Sequence, residues 1–348
     1  MKAYFRHELT AQEITDIRNF CSRCDYYAVE QLPGFSQILY KTGVTYFYLL
    51  DEGSITSYCQ INENQRFAHI WFGPVCNDKE MLIVSLKEIV YYYRKGGYVY
   101  LGVQMYLKSG PDCDYIEYKL NQLIRIRYVF DKENTKSSIE LDLNDSMESL
   151  FRNMRKGHRS DIRKALREGI EIVEACDSRT ISDFVLVYRR MCDSRSIRGH
   201  TVEEIEKIVK YLHAHRQGQL LVARDKEGKI IGGAIFAYQG ISVRYLISAS
   251  DPDSRDLPMT HLVLYRAIEN AREAGFRYFD FWGYNHFAEK DDQIYKINSF
   301  KKGFGGYFTF FAKKMNISLI PGGYNIYQLF VVINKLRGQF TIRRRKIL

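Results

Sequence analysis

The chain has 348 residues, 46% of them hydrophobic and 26% charged, which is enough to bury one large or two ordinary cores. Only 6 prolines argue against long disordered linkers, and 7 cysteines with no regular framework argue against a disulfide-built secreted protein. Lys and Arg number 51 against 41 Asp and Glu, a net charge of +10 that points to an anionic partner: nucleic acid, a phosphorylated substrate or an acidic membrane surface.

The N-terminus, "MKAYFRHELTAQEI", lacks the apolar centre of a signal peptide. Cys21 and Cys24 form one C-x-x-C, but no second pair or His cluster completes a metal site, so the pair reads as incidental. Residues 44–75 read as strands: "VTYFYLL" and "ITSYCQI" joined by the turn "DEGS", then "FAHIWFGPV". "MLIVSLKEIVYYYRKGG" reads as a helix ending at glycine, and "YVYLGVQM" as the next strand.

The second half repeats this order. "QLLVAR" and "IIGGAIFAY" flank the turn "DKEGK", "SVRYLISAS" follows, and the helix "HLVLYRAIENAREAG" leads into "FRYFDFW". Laying "RKGGYVYLG" over "REAGFRYFD" matches Arg94 to Arg272 and Gly97 to Gly275, both pairs 178 apart. Two copies of one α/β unit with mixed, mostly antiparallel sheets are the simplest account. The expected division is 1–144 for the first domain and 145–324 for the second.

Between the halves lies "FRNMRKGHRSDIRKALREG", residues 151–169, with seven Lys or Arg. Met147, Leu150, Phe151, Met154, Ile162 and Leu166 recur at helical spacing, Asp145 and Glu148 suggest a capped start, and Gly169 closes the segment. One helix is expected, with Arg152, Arg155, Arg159 and Arg163 in a single exposed ridge beside Lys156, Lys164 and Arg167. Like charges so placed destabilise a helix by a few tenths of a kcal/mol per pair, so a use outside helix stability is implied. The plain alternative is a solvated face. No apolar run reaches the roughly 18 residues of a spanning helix; "LFVVI", residues 329–333, is the nearest. A cytoplasmic protein is expected, touching a membrane at most from that side.

Several motifs resemble, in one order, those of the Fem family, aminoacyltransferases that build peptidoglycan interpeptide bridges. They are "AHIWFGPVCND", "SSIELDLNDSMESLFRNMRKGHRSDIRKALREGIEI", "YLISASD", "AREAGFRYFDFWG" and "INSFKKGFGG". The resemblance runs from about residue 70 to residue 306 and implies two GNAT-type domains in tandem. With no sustained heptads, the chain resembles the members that lack a helical arm, which implies that residues 325–348 return to the first domain.

The family's reaction moves an aminoacyl group from its tRNA ester to an amine on the peptide of a peptidoglycan precursor, lipid-linked or UDP-linked. It needs a deprotonated amine and positive charge near the oxyanion, but no cofactor beyond the aminoacyl-tRNA co-substrate, no metal and no protein nucleophile. The resemblance implies Lys301 as the electrostatic stabiliser and Asp280 as a proton acceptor. Asp280 also fits the plainer role of capping a turn. Lys41 and Arg195 are implied as phosphate contacts on the precursor, with Tyr245 lining the same groove. The basic helix would hold tRNA phosphates through Arg155, Lys156, Arg159 and Arg163, and "RRRK", Arg343 to Lys346, would meet tRNA or an anionic membrane.

Two rivals remain at this level. A CoA-dependent N-acyltransferase would need a glycine-containing diphosphate loop after "YLISAS". The loop here is "DPDSRDLPMTHL", with no glycine, and Pro258 lacks an N–H. A non-enzymatic RNA-binding protein would explain the charge but neither the repeat nor the order of motifs.

Overall fold

The computed structural model describes residues 1–40, 42–128 and 136–345, with side chains described up to Leu336 except for that of Gln293. In chain order its elements are β1 (Lys2–Arg6), α1 (Ala11–Cys21), α2 (Ser36–Leu39), β2 (Gly43–Asp51), β3 (Ser54–Asn64), β4 (Phe67–Trp71), α3 (Lys79–Lys95), β5 (Tyr100–Gln104), α4 (Pro111–Leu123) and β6 (Ile126–Tyr128). There follow β7 (Ser137–Asp142), α5 (Met147–Asn153), α6 (Lys156–Arg167), β8 (Glu171–Glu174), α7 (Ser178–Ser194), α8 (Val202–Ala214), β9 (Gly218–Arg224), β10 (Ile230–Gln239) and β11 (Ser242–Ser250). The last are α9 (Met259–Glu273), β12 (Tyr278–Asp280), α10 (Gln293–Lys302), β13 (Tyr307–Phe310), β14 (Met315–Ser318) and α11 (Gly323–Arg345).

Two compact units result. One comprises Met1–Pro33, Tyr40–Asn134 and Phe311–Leu348; the other comprises Gly34–Leu39 and Thr135–Phe310. Each holds one seven-stranded sheet, ordered β1-β2-β3-β4-β5-β14-β6 in the first and β13-β7-β12-β11-β10-β9-β8 in the second. Each sheet is antiparallel but for one parallel pair, β4 with β5 and β11 with β12. A parallel pair needs a crossover, and α3 and α9 supply it. Both crossovers end on a glycine in the left-handed region, Gly97 (φ 71°) and Gly275 (φ 83°), the two positions that the internal repeat superposes.

The division differs from a simple cut of the chain at 144 and 324. β7, inside the expected first domain, lies between β12 and β13 in the second sheet, while β14, inside the expected second domain, lies between β5 and β6 in the first. In each sheet the strand beside the parallel pair therefore comes from a distant stretch of chain. Local periodicity carries no trace of such a pairing.

Each sheet has helices against both faces, α3 and α11 in the first unit and α9 and α7 in the second. In the first unit Leu86 and Ile89 of α3 meet Ile61, Ile70, Leu101 and Val103. In the second, Leu264 and Ile268 of α9 meet Leu221, Phe236, Val243 and Phe279. Cys21 and Cys24 are buried free thiols, and burial pushes both up from the ordinary thiol range. Among the described residues no helix is long and apolar enough to cross a membrane.

Candidate active site

The parallel pair of the second unit comes apart part-way. Only Ser242, Val243 and Arg244 of β11 pair with Tyr278, Phe279 and Asp280 of β12, and the rest of β11 runs on without that neighbour. A register shift against β10 falls where the pairing stops, because Phe236 faces Tyr245 and Ile235 faces Ile247. Such a bulge bends a strand, and here it turns β11 away from β12. The gap opens a cavity of about 800 Å³ whose walls include Arg195, Tyr245, Ser248, His261, Trp282 and Lys301. Clefts at the carboxyl ends of splayed parallel strands are common ligand positions.

Lys301, near the end of α10, is only 8% exposed. Its Nζ donates to the carbonyl oxygens of Trp282 and, at 3.1 Å, of Gly283. Burial lowers its pKa to about 8, an effect that Asp280 partly opposes. The ammonium is therefore mostly charged at neutral pH, but near the edge of its range. Tyr245 lies alongside, its ring centre 6.0 Å from Nζ, and burial pushes its phenol up to about 12.

The loop carrying those two carbonyls is itself held. Trp282 sits at φ 46°, a conformation that costs a bulky residue about 1–3 kcal/mol. Asp280 accepts the Trp282 N–H at 2.8 Å and a hydrogen bond from Ser138. The fully buried Arg244 guanidinium lies 4.0 Å from the centre of the Trp282 ring, and its Nε lies 3.9 Å from Asp280 Oδ2. Asp280 does not line the cavity; it stands behind the loop and fixes it. The bond from the Trp282 N–H is a capping contact of the kind the sequence allows.

A second support lies beneath α10. His158, 7% exposed, sits 2.8 Å from the Phe300 carbonyl through Nε2, so that nitrogen must carry the proton. Its ring meets His261 edge-on at 4.6 Å, and His261 Nε2 lies 3.4 Å from Asp161. Burial lowers both imidazoles, His261 to about 4.

The acetyltransferase (GNAT) domain model matches residues 152–296, the heart of this unit. The lipid II:glycine glycyltransferase of Staphylococcus haemolyticus (strain JCSC1435) is 33% identical over 89 residues, 26% of this chain and 21% of that one. The crystal structure of FemX superposes with a TM-score of 0.78 at 16% identity, covering 94% of this chain and 99% of that one. The chain has a tandem GNAT fold, similar to that of FemX. A tandem GNAT protein from the clavulanic acid biosynthesis pathway also shares the fold, at TM-score 0.53 and 10% identity, with 92% and 99% coverage. This chain spans about a fifth of the length of the glycyltransferase it matches.

The basic segment departs from the expected single helix. It is two helices, α5 and α6, broken at Met154 and Arg155, whose ψ values of 148° and 142° are extended. The Arg155 N–H turns to the Gly303 carbonyl at 2.8 Å and takes the break with it. Ser146, not Asp145, caps α5, accepting the Ser149 N–H. Arg152 therefore leaves the ridge, while exposed Arg155, Lys156 and Arg163 and half-buried Arg159 remain along α6. Lys164 reaches the Asp256 carbonyl at 2.8 Å and joins the cavity wall together with Asp161.

The approach to α9 carries few free donors. Pro258 has no N–H, the Met259 N–H returns to the Leu257 carbonyl at 2.9 Å, and the His261 N–H to the Pro258 carbonyl at 3.2 Å. The structure thus brings Arg195, Tyr245 and Lys301 to one cavity beside α6, with Asp280 behind it. Lys41 and Lys346 lie outside the described residues, as do the side chains of Arg343 to Arg345. Sequence reasoning missed Arg244, Trp282, His158 and His261. Arg244 alone left a signal, an arginine inside an otherwise apolar strand, which is rarely buried without a partner.

Proposed function

We propose that the protein is an aminoacyltransferase that moves an amino acid from aminoacyl-tRNA to an amine on the peptide of a peptidoglycan precursor. The observation that carries this reading is the buried Lys301 ammonium at the wall of a cavity whose helix entrance, around Pro258, is poor in N–H donors. A CoA diphosphate would depend on such donors, whereas a tRNA ester does not. The sequence likeness to a glycyltransferase named for lipid II favours a lipid-linked acceptor and glycine as the first donor to try.

In the proposed step the neutral acceptor amine attacks the ester carbonyl carbon. The carbonyl electrons move to oxygen, and Lys301 stabilises the oxyanion through an N–H not given to Trp282 or Gly283. As the tetrahedral intermediate collapses, the bond to the ribose oxygen breaks, the amide remains, and the proton lost by the amine passes to that oxygen. Asp280, with Arg244, holds the Trp282 loop and thereby the direction of the Lys301 side chain. Arg195 suits the precursor phosphates because a guanidinium can grip two oxygens at once. Arg155, Lys156, Arg159 and Arg163 attract the tRNA backbone without reading its sequence.

Incubation with glycyl-tRNA and lipid-linked or nucleotide-linked precursor tests the reading by mass spectrometry of the peptide. A peptide heavier by one residue supports it; transfer from acetyl-CoA alone refutes it.

A further inference from the structure

α11 is apolar on two sides at once. Tyr324, Tyr327 and Phe330 are half-buried; the Tyr327 ring stacks on Tyr100 at 4.0 Å and the Phe330 ring meets Phe67 at 4.6 Å. Ile326, Leu329, Val332, Ile333 and Leu336 point the other way, between 39% and 60% exposed. Their offsets of 3, 6, 7 and 10 place them on one face. A helix with two apolar sides normally has both covered, and among the described residues of this one only the sheet side is covered.

At the N-terminal end of α11 lies a cavity of about 690 Å³. Its charged lining is Arg94, Arg125 and Arg127, with no carboxylate among the lining residues. Arg127 is steadied by Asn325 Oδ1 at 3.2 Å and by the Tyr324 ring, whose centre is 4.7 Å from the guanidinium. Beside it Ile320, 37% exposed, continues the apolar surface. The chain contains no Asp or Glu after Asp292, and eleven of the last 56 residues are Lys or Arg.

We infer that this face docks on an anionic phospholipid bilayer, with α11 lying in the plane of the interface. The aliphatic stripe enters the acyl boundary, and Arg94, Arg125 and Arg127 engage lipid phosphates. Three occupants compete for an apolar, cationic face, and charge separates them. A second copy would bring two acid-free, Lys- and Arg-rich segments together. A tRNA would satisfy the arginines but leave the aliphatic stripe in water. An anionic bilayer satisfies both. The inference stands apart from the transfer chemistry and, if that holds too, gives a reason for a lipid-linked acceptor.

The test is flotation of the full chain with vesicles of phosphatidylcholine alone and of phosphatidylcholine mixed with phosphatidylglycerol, free of any precursor. Binding is expected to the mixed vesicles only. It should fall more than about tenfold in Leu329→Asp with Val332→Asp, and likewise in Arg94→Gln with Arg125→Gln. Thermal melting confirms that each variant, altered at exposed positions, still folds. Equal binding to neutral vesicles, or binding that ignores either pair of substitutions, overturns the inference. A dimer seen by light scattering and abolished by Leu329→Asp would assign the face to a second copy instead. The same variants should keep transfer to a soluble nucleotide-linked acceptor, so failure here leaves the transfer reading standing.

Discussion

A Cβ added to Gly303 would lie 2.2 Å from His158 Nε2, so the basic helix α6 is seated against the end of the helix that carries Lys301. No side chain fits there unless the imidazole leaves. Gly303→Ala should therefore break the His158 hydrogen bond to Phe300 and destabilise the protein by about 1–3 kcal/mol. Adding His158→Ala relieves the clash, so the double variant should be more stable than the sum of the two single losses. Urea denaturation of the four proteins measures this. Strict additivity would show that the two residues are not coupled.

Lys301→Met should lower the single-turnover transfer rate by about two orders of magnitude, the usual effect of removing one oxyanion donor. Stability should hold or rise, because a buried ammonium is replaced by an apolar chain of similar length. Unchanged turnover would take Lys301 out of the chemistry.

The wild-type rate should also fall as pH rises through about 8, where Lys301 loses its proton. The sign is informative. A required cation is present below its folded-state pKa and lost above it, whereas a lysine acting as base would give a rate that rises through the same point. A pH–rate profile with Lys301→Met alongside distinguishes the two.

His261 titrates at about 4 in the folded protein, lowered by burial and by neighbouring His158 and only partly raised by Asp161. In the unfolded chain it titrates near its ordinary value of about 6.5. Between those values the unfolded state holds the extra proton, so stability should be flat above about 6.5 and decline as pH falls towards 4. This histidine would contribute a slope of at most about 1.4 kcal/mol per pH unit. Denaturation midpoints at several pH values should show a shallower decline in His261→Gln.

Asp280→Ala removes the carboxylate beside fully buried Arg244 and should destabilise by about 3–5 kcal/mol, as broken buried pairs do. Asp280→Asn keeps an acceptor for the Trp282 N–H and should retain most activity. If Asp280→Asn folds normally yet turnover collapses, the carboxylate itself handles the proton.

Much of this arrangement was legible in the sequence, and the exceptions have physical causes. The strand pairs around "DEGS" and "DKEGK" and both crossover helices appear where their alternation and helical spacing put them, because those signals are local. Gly97 and Gly275 matched in sequence for the reason that both take a left-handed conformation, which glycine tolerates best. β7 and β14 were not legible in their places, since their neighbours lie far away in the chain. The break at Arg155 escaped notice because a tertiary hydrogen bond to Gly303 overrides good helical spacing. Lys301 stands in the quoted "INSFKKGFGG", but the two carbonyls that its ammonium meets could not be read there, because backbone oxygens leave no mark in sequence.

The most direct measurement of the central claim is a donor comparison with one acceptor. Lipid-linked precursor is offered glycyl-tRNA in one reaction and acetyl-CoA in another, with wild type and Lys301→Met in each. One added glycine is expected from the tRNA with wild type, little with the variant, and nothing from acetyl-CoA. Acetylated precursor, with charged tRNA left untouched, would contradict it.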